Sequence, residues 1–169
     1  MPENLEIYGS KILRNKSKKI TSFDDKLIEF SEKLSRLMFE HEGAGLAAPQ
    51  IGENIRIVAV EIPNTTEKES LILVNPEIVF QSEELQTDTE GCLSIPDIRA
   101  IVKRPMTISV KAFSANGKPI FLENVSGFFA RAIQHEIDHL DGILFIDKID
   151  PLKKTLISGK LKKIAKENK

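Results

Sequence analysis

Apolar side chains recur along this chain with two periods, and the alternation between them lays out its elements. From Ser22, residues Leu27, Phe30, Leu34, Leu37 and Met38 fall on one face of a 3.6-residue repeat. Ser22 with Asp25 resembles a capping box, so the pattern predicts a first helix that ends near Gly43. Residues 55–62 and 71–80 are short runs rich in β-branched side chains, parted by Pro63 and a polar stretch, and read as strands. Residues 106–113 alternate throughout, and Asn116-Gly117 followed by an apolar run at 119–122 predicts a β-hairpin. Ser126 can cap a second helix from 127 to about 140, with Gly142 just past its last turn. After Pro151, a stripe of Leu152, Leu156, Ile157, Leu161 and Ile164 predicts a third helix whose other face carries lysines. Strands grouped between unlike helices point to an α+β fold and not to a βαβ alternation.

A chain of 169 residues has room for one compact core, so a single domain over residues 1–169 is expected, with 151–169 as its basic C-terminal helix. No run of 18 apolar residues and no apolar leader core interrupts the sequence, which makes a cytoplasmic, membrane-free protein the expectation. The formal net charge is only -1, which excludes a general field for nucleic acid, yet its distribution is uneven. Residues 83–90 are acidic with no basic residue and read as a turn, whereas 151–169 hold seven lysines against Glu167 alone. A lone Cys92 cannot form an internal disulfide, leaving it as a core thiol, a nucleophile or a metal ligand.

The second helix carries the strongest chemical signal. His135-Glu136-Ile137-Asp138-His139 is an H-E-x-x-H segment, whose two imidazoles, four residues apart, share one face and can chelate one ion. Glu136 is turned about 100° from His135 around the axis, the position of a base acting on water and not of a third ligand. Phe128 and Ala132 lie on the histidine side, while Ile133, Ile137 and Leu140 form the core face. A catalytic site of this kind needs a third protein donor. The downstream Glu of a thermolysin-like protease is missing, since only Glu167 remains in the lysine tail, and no third histidine extends the motif. Cys92, in Glu90-Gly91-Cys92-Leu93-Ser94, is the best remaining donor, and a set of one sulfur and two nitrogens suits Zn or Fe(II) better than Mg or Ca.

Gly43-Ala44-Gly45-Leu46-Ala47-Ala48-Pro49-Gln50 contains G-x-G-x-x-A, but it follows a helical pattern and is stopped by Pro49, so it is no dinucleotide fingerprint. It reads better as backbone brought close to a substrate, with the Gln50 amide left to donate. Taken together and in order, G-x-G-x-A-A-x-Q, E-G-C-x-S and H-E-x-x-H resemble the motifs of the peptide deformylase family over residues 43–142.

That resemblance implies mostly antiparallel sheets around a central metal-binding helix, flanked by N- and C-terminal helices, and removal of the formyl group from N-terminal formyl-methionine with release of formate. Cys92, His135 and His139 would hold one divalent ion, Fe(II) or Zn(II). Glu136 would take the proton of the attacking water and pass it to the leaving amine, while the Gln50 side chain and the Leu93 backbone N–H hold the oxyanion. The peptide would add as a strand beside Gly45, with methionine in an apolar pocket near Phe128 and His135 and with Arg99 at the mouth. Arg131 departs from the family pattern, standing where a hydrophobic side chain is often found; its guanidinium should snorkel to the pocket rim or narrow the preference for methionine. His41 is expected to serve its helix end and not the metal. A monomer is expected; the lysine-rich helix reads by default as a solvated face, with contact to the ribosome as a role it could serve in addition. Two other readings compete: an H-E-x-x-H peptidase that cuts internal amides and does not need Cys92, and a module that docks on ribosomal RNA through its lysines with catalysis vestigial.

Overall fold

The computed structural model describes residues 3–168. The first helix, α1, spans Asp25–Glu40 and begins because Asp24, in extended backbone, accepts the Leu27 N–H on its carboxylate at 3.1 Å. The cap is therefore Asp24, not Ser22, and the helix stops short of Gly43. Leu34, Leu37 and Met38 are fully buried, as their spacing predicts.

Among the described residues seven strands follow: β1 Gly45–Ala47, β2 Ile57–Glu61, β3 Ser70–Gln81, β4 Leu85–Cys92, β5 Ile95–Pro105, β6 Thr107–Phe113 and β7 Pro119–Ser126. They form a five-stranded sheet in the order β1-β2-β3-β6-β7 and a separate β4–β5 hairpin, with every pairing antiparallel. The second helix, α2, covers Gly127–Leu140, and the third, α3, covers Pro151–Glu167. The α+β architecture with α2 at its centre is thus the one the motifs imply.

Burial explains why the apolar strands do not all alternate. β2 lies between two layers: Val58 and Val60 pack with Ile133, Ile137 and Leu140 of α2, while Ile57 and Ala59 pack with Leu34, Leu37 and Met38 of α1. Both of its faces are dry, so it reads as a continuous apolar run. The β6–β7 hairpin turns where predicted, with Gly117 at φ 84°, although β7 runs on to Ser126. A third cluster, built from Ile95, Ile98 and Val102 of β5, Phe145 and Ile146 of a following 3-10 turn, and Leu161 of α3, holds the β4–β5 hairpin and the C-terminal helix together.

Three expectations fail on particular residues. The acidic stretch at 83–90 lies largely in strand β4 and is not a turn, because the face it turns inward carries Glu90 and not an apolar side chain. Ser126 is the N-cap residue of α2 but makes no side-chain capping bond. On α3 the apolar stripe is narrower than predicted: Ile157, Leu161 and Ile164 face the core, whereas Leu152 and Leu156 are 72% and 77% exposed. Leu156 sits one residue, about 100°, away from the docked row.

The 3-10 turn at Phe145–Lys148 sits close to the metal helix and is anchored from outside. Asp147 accepts the Leu144 N–H at 2.9 Å and pairs with Arg14 Nη1 and Nη2 at 2.5 and 3.1 Å. Partial burial raises the Asp147 pKa, but the Arg14 bond and the Leu144 N–H outweigh it and hold the carboxyl below its ordinary 3.8. A lowered folded-state pKa gives stability that is present above the unfolded value and lost as pH falls. Asp147→Asn should therefore lose about 1 kcal/mol at neutral pH, a figure limited by solvent screening of this partly exposed pair. Thermal melts of both proteins should converge below about pH 4; a gap of constant size would show that the carboxylate charge is irrelevant.

Candidate metal centre

One turn of α2 separates His135 from His139, and their rings meet edge to face with centroids 5.1 Å apart. Cys92 ends β4, at a register shift where the hairpin tightens and Cys92 pairs with Ile95. Its Sγ lies 3.3 Å from His139 Nε2, and one donor atom from each of Cys92, His135 and His139 falls within 4.8 Å of the others. Metal–ligand bonds of about 2.0–2.3 Å in a tetrahedral set need donors this close. The structure thus brings together the three residues proposed as ligands, across 47 residues of sequence between Cys92 and His139.

The surroundings fit a cation. His135 donates from Nδ1 to Glu90 Oε1 at 2.9 Å, which leaves Nε2 for a ligand bond, the carboxylate–histidine arrangement common at metal centres. In the protein alone, burial depresses the His135 pKa, but hydrogen bonds with Cys92 and Glu90 outweigh it and raise the group to about 10; burial leaves His139 well below its usual value. Loading an ion onto His135 must therefore displace a proton. Glu136 is buried with Oε2 unpartnered in the protein, and burial pushes its carboxyl up to about 7 against the opposing pull of His135 and Arg104. A buried carboxyl with an orphaned oxygen beside a cavity is placed to exchange a proton with a bound molecule.

Glu90 was not singled out from the sequence beyond its motif, and Arg104 and Asp138 not at all. Burial would raise the Glu90 pKa, yet Arg104 and His135 hold it well below the usual carboxylate range. Arg104 grips both Glu90 oxygens at 2.5 and 2.8 Å and reaches Asp138 at 2.8 Å. Of the two readings of Arg131, the rim position does not hold: the side chain is 2% exposed and bonded to Glu90. Its snorkelling fails because a carboxylate and two carbonyls are available inside. No apolar periodicity marks such a network; a pair of buried arginines has no single-sequence signature.

A cavity of about 570 Å³ opens onto this centre between β1, the hairpin and α2. Gln50, 1% exposed in the 3-10 turn at Ala48–Ile51, accepts the Ala47 N–H at 2.9 Å and donates to Ser94 Oγ at 3.1 Å, with Nε2 3.7 Å from Cys92 Sγ. Leu93, Arg99 and Phe128 line the same cavity; Phe128 is 66% exposed and so stands at its mouth. His41 lies apart, its Nε2 2.9 Å from the Glu3 carbonyl oxygen.

Gly45 offers its backbone to the cavity and has a steric reason to be glycine. Glu61 N–H donates to the Ala44 carbonyl, so strand alternation turns the peptide groups of Gly45 to the free edge of β1, beside the cavity. A Cβ at Gly45 would sit 2.6 Å from Glu136 Oε1 and 2.7 Å from its Cγ. Gly45→Ala should push the carboxylate aside and lower kcat on the order of 10²-fold, the usual penalty for misplacing a reacting group by about 1 Å. Steady-state kinetics with bound metal quantified would check this; an unchanged kcat would mean that Glu136 need not stay where it is.

The polypeptide deformylase family model matches residues 2–155. A peptide deformylase from Brucella suis is 44% identical over 164 residues, covering 96% of this chain and 93% of that protein. One from Desulfotalea psychrophila is 44% identical over 158 residues, 92% of each. Among solved structures, peptide deformylase from Plasmodium falciparum superposes with a TM-score of 0.90 at 36% identity, covering 97% and 96% of the two chains. Arabidopsis thaliana peptide deformylase 1B, in complex with an inhibitor, gives 0.91 at 34% identity, covering 98% and 91%. The order of the motifs, the assembled ligand set and these likenesses agree, and the chain belongs to the polypeptide deformylase family.

Proposed function

We propose that this chain removes the formyl group from N-terminal formyl-methionine of new polypeptides at the centre built by Cys92, His135 and His139, with Glu136 as its acid and base. The observation that carries the reading is the convergence of one thiol and two imidazoles, with the thiol, the His135 ring and the buried Glu136 carboxyl lining one cavity. The family is metal-dependent, and the donor set here fits Fe(II) or Zn(II), one ion per chain. Such an ion, when bound, supplies Lewis acidity that polarises the formyl carbonyl and acidifies water.

The chain's own residues do the rest. The free edge of β1 at Gly45 pairs with the peptide backbone and aligns the formyl group, while Arg99 flanks the mouth and Phe128 shields the methionine side chain. Glu136 accepts a proton from the water that attacks the formyl carbon. The Gln50 Nε2 and the Leu93 backbone N–H donate to the oxygen as it gains charge, a preorganised arrangement because Gln50 is already fixed by Ala47 and Ser94. As the C–N bond breaks, Glu136 returns its proton to the leaving amine, so that one water and one formyl-peptide become formate and a free N-terminus.

Among the described residues no helix is long and apolar enough to cross a membrane. The proposed compartment is the cytoplasm, where bacterial ribosomes make formylated chains. The chain works as a monomer of one domain, and α3, with its outward lysines, touches the ribosome. Salt-sensitive ribosome binding that disappears on truncation at Pro151 would support that contact.

Formate release from a formyl-Met-Ala-Ser peptide, run beside an unformylated peptide, tests the function. Formate without cleavage of internal amides is the expected result. Internal cleavage that survives Cys92→Ala would favour the peptidase reading instead.

A further inference from the structure

The β4–β5 hairpin belongs to neither the main sheet nor α2, yet it carries Cys92, one of the three proposed ligands; the other two ride on α2. A centre split between two bodies requires something to fix their relative position. We propose that Arg131 is that positioning residue: it sets the Cys92 hairpin against the histidine helix and acts on both halves of the ligand set at once. This rests on the reading of Cys92, His135 and His139 as metal ligands.

From α2, Arg131 reaches both strands of the hairpin. Nη1 donates to Glu90 Oε2 at 2.5 Å and to the Val102 carbonyl at 3.0 Å, and Nη2 donates to the Gln86 carbonyl at 3.0 Å. Glu90 lies two residues before Cys92 on β4, and its other oxygen accepts from His135. One guanidinium therefore holds the strand that ends in the thiol and, through the same carboxylate, the ring of a histidine. The three acceptors diverge, and only a planar fork of several N–H groups can serve them together.

Stability alone does not account for an arginine here. Burying a guanidinium is unfavourable unless it is well paired, and Arg131 Nε is buried without a partner. Nor is Arg131 needed to neutralise Glu90, because Arg104 already binds both of its oxygens. Replacement by an apolar side chain of similar length should thus leave a folded protein, with Glu90 still charged and paired and the hairpin still tied to α2 by Arg104–Asp138, Gln134–Pro105 and His135–Glu90, but without the fork that fixes the Glu90 strand and so with more play between Cys92 and the histidines.

The test uses the zinc-loaded protein, Arg131→Met and Arg131→Lys. The readouts are the rate of zinc transfer to a chromogenic chelator, thermal unfolding, and the visible and near-ultraviolet spectra of the three proteins prepared with cobalt(II). Both variants should hold zinc ~10–100-fold more weakly, the range found when an outer partner of a metal ligand is removed, and release it correspondingly faster. The cobalt spectra should show a weakened thiolate charge-transfer band, with the unfolding midpoint within a few degrees of the parent. Lysine should not rescue, since a single ammonium cannot span three diverging acceptors. Zinc loss and cobalt spectra equal to the parent's in both variants would overturn the proposal. So would a faster loss that merely tracks a collapse of the unfolding midpoint in both. If the parent itself binds no metal, it is the underlying functional reading that fails, which sets that outcome apart.

Discussion

Glu136→Gln is expected to abolish most formate release while the protein keeps its metal. The amide has nearly the shape of the carboxylate, so the buried space beneath β1 stays filled, but it can neither accept the water's proton nor return one to the leaving amine. Loss of a positioned general base lowers rates by ~10²–10⁴-fold. In the proposed ligand set Glu136 is no ligand, since the three donor atoms that come together belong to Cys92, His135 and His139. Metal content per chain should therefore match the parent, and KM for the formyl-peptide should change far less than kcat. Quantifying both on one preparation separates the outcomes: a fall in rate that tracks a fall in bound metal would move Glu136 from proton transfer to metal retention.

Cys92→Ala is expected to act in the opposite order, on the metal first. The helix pair alone is a two-donor site, and two imidazoles hold a divalent ion too weakly to survive dilution or a chelator. The loss of affinity should exceed the ~10–100-fold that follows removal of an outer partner. Folding should persist, because Cys92 is only half-buried and its truncation removes a single small group at the end of a strand. Elemental analysis after gel filtration, together with circular dichroism, would check the claim. A variant that stays fully loaded and active would remove Cys92 from the centre and revive the peptidase reading.

How much of this was legible in the chain depends on whether the relevant pattern is local. The core faces of α1 and α2 and the β6–β7 hairpin were readable because apolar period and turn chemistry agree there. The two histidines were readable for the same reason: a spacing of four on a helix is a geometric statement. β4 was missed since its inward face bears Glu90, and polar-in strands carry no alternation. The burial of Arg131 was missed because it depends on acceptors 29 to 45 residues away in sequence. Leu152 and Leu156 obeyed helical spacing yet found no neighbour to cover them, so periodicity overstated what α3 buries.

In the proposed centre, one sulfur and two imidazole nitrogens hold the metal that serves deformylation. X-ray absorption at the metal edge, on a sample whose formate release has just been measured, tests it most directly. One sulfur neighbour at about 2.3 Å, with nitrogen neighbours at about 2.0–2.1 Å, is expected for zinc. An active sample whose metal shows no sulfur neighbour would contradict it.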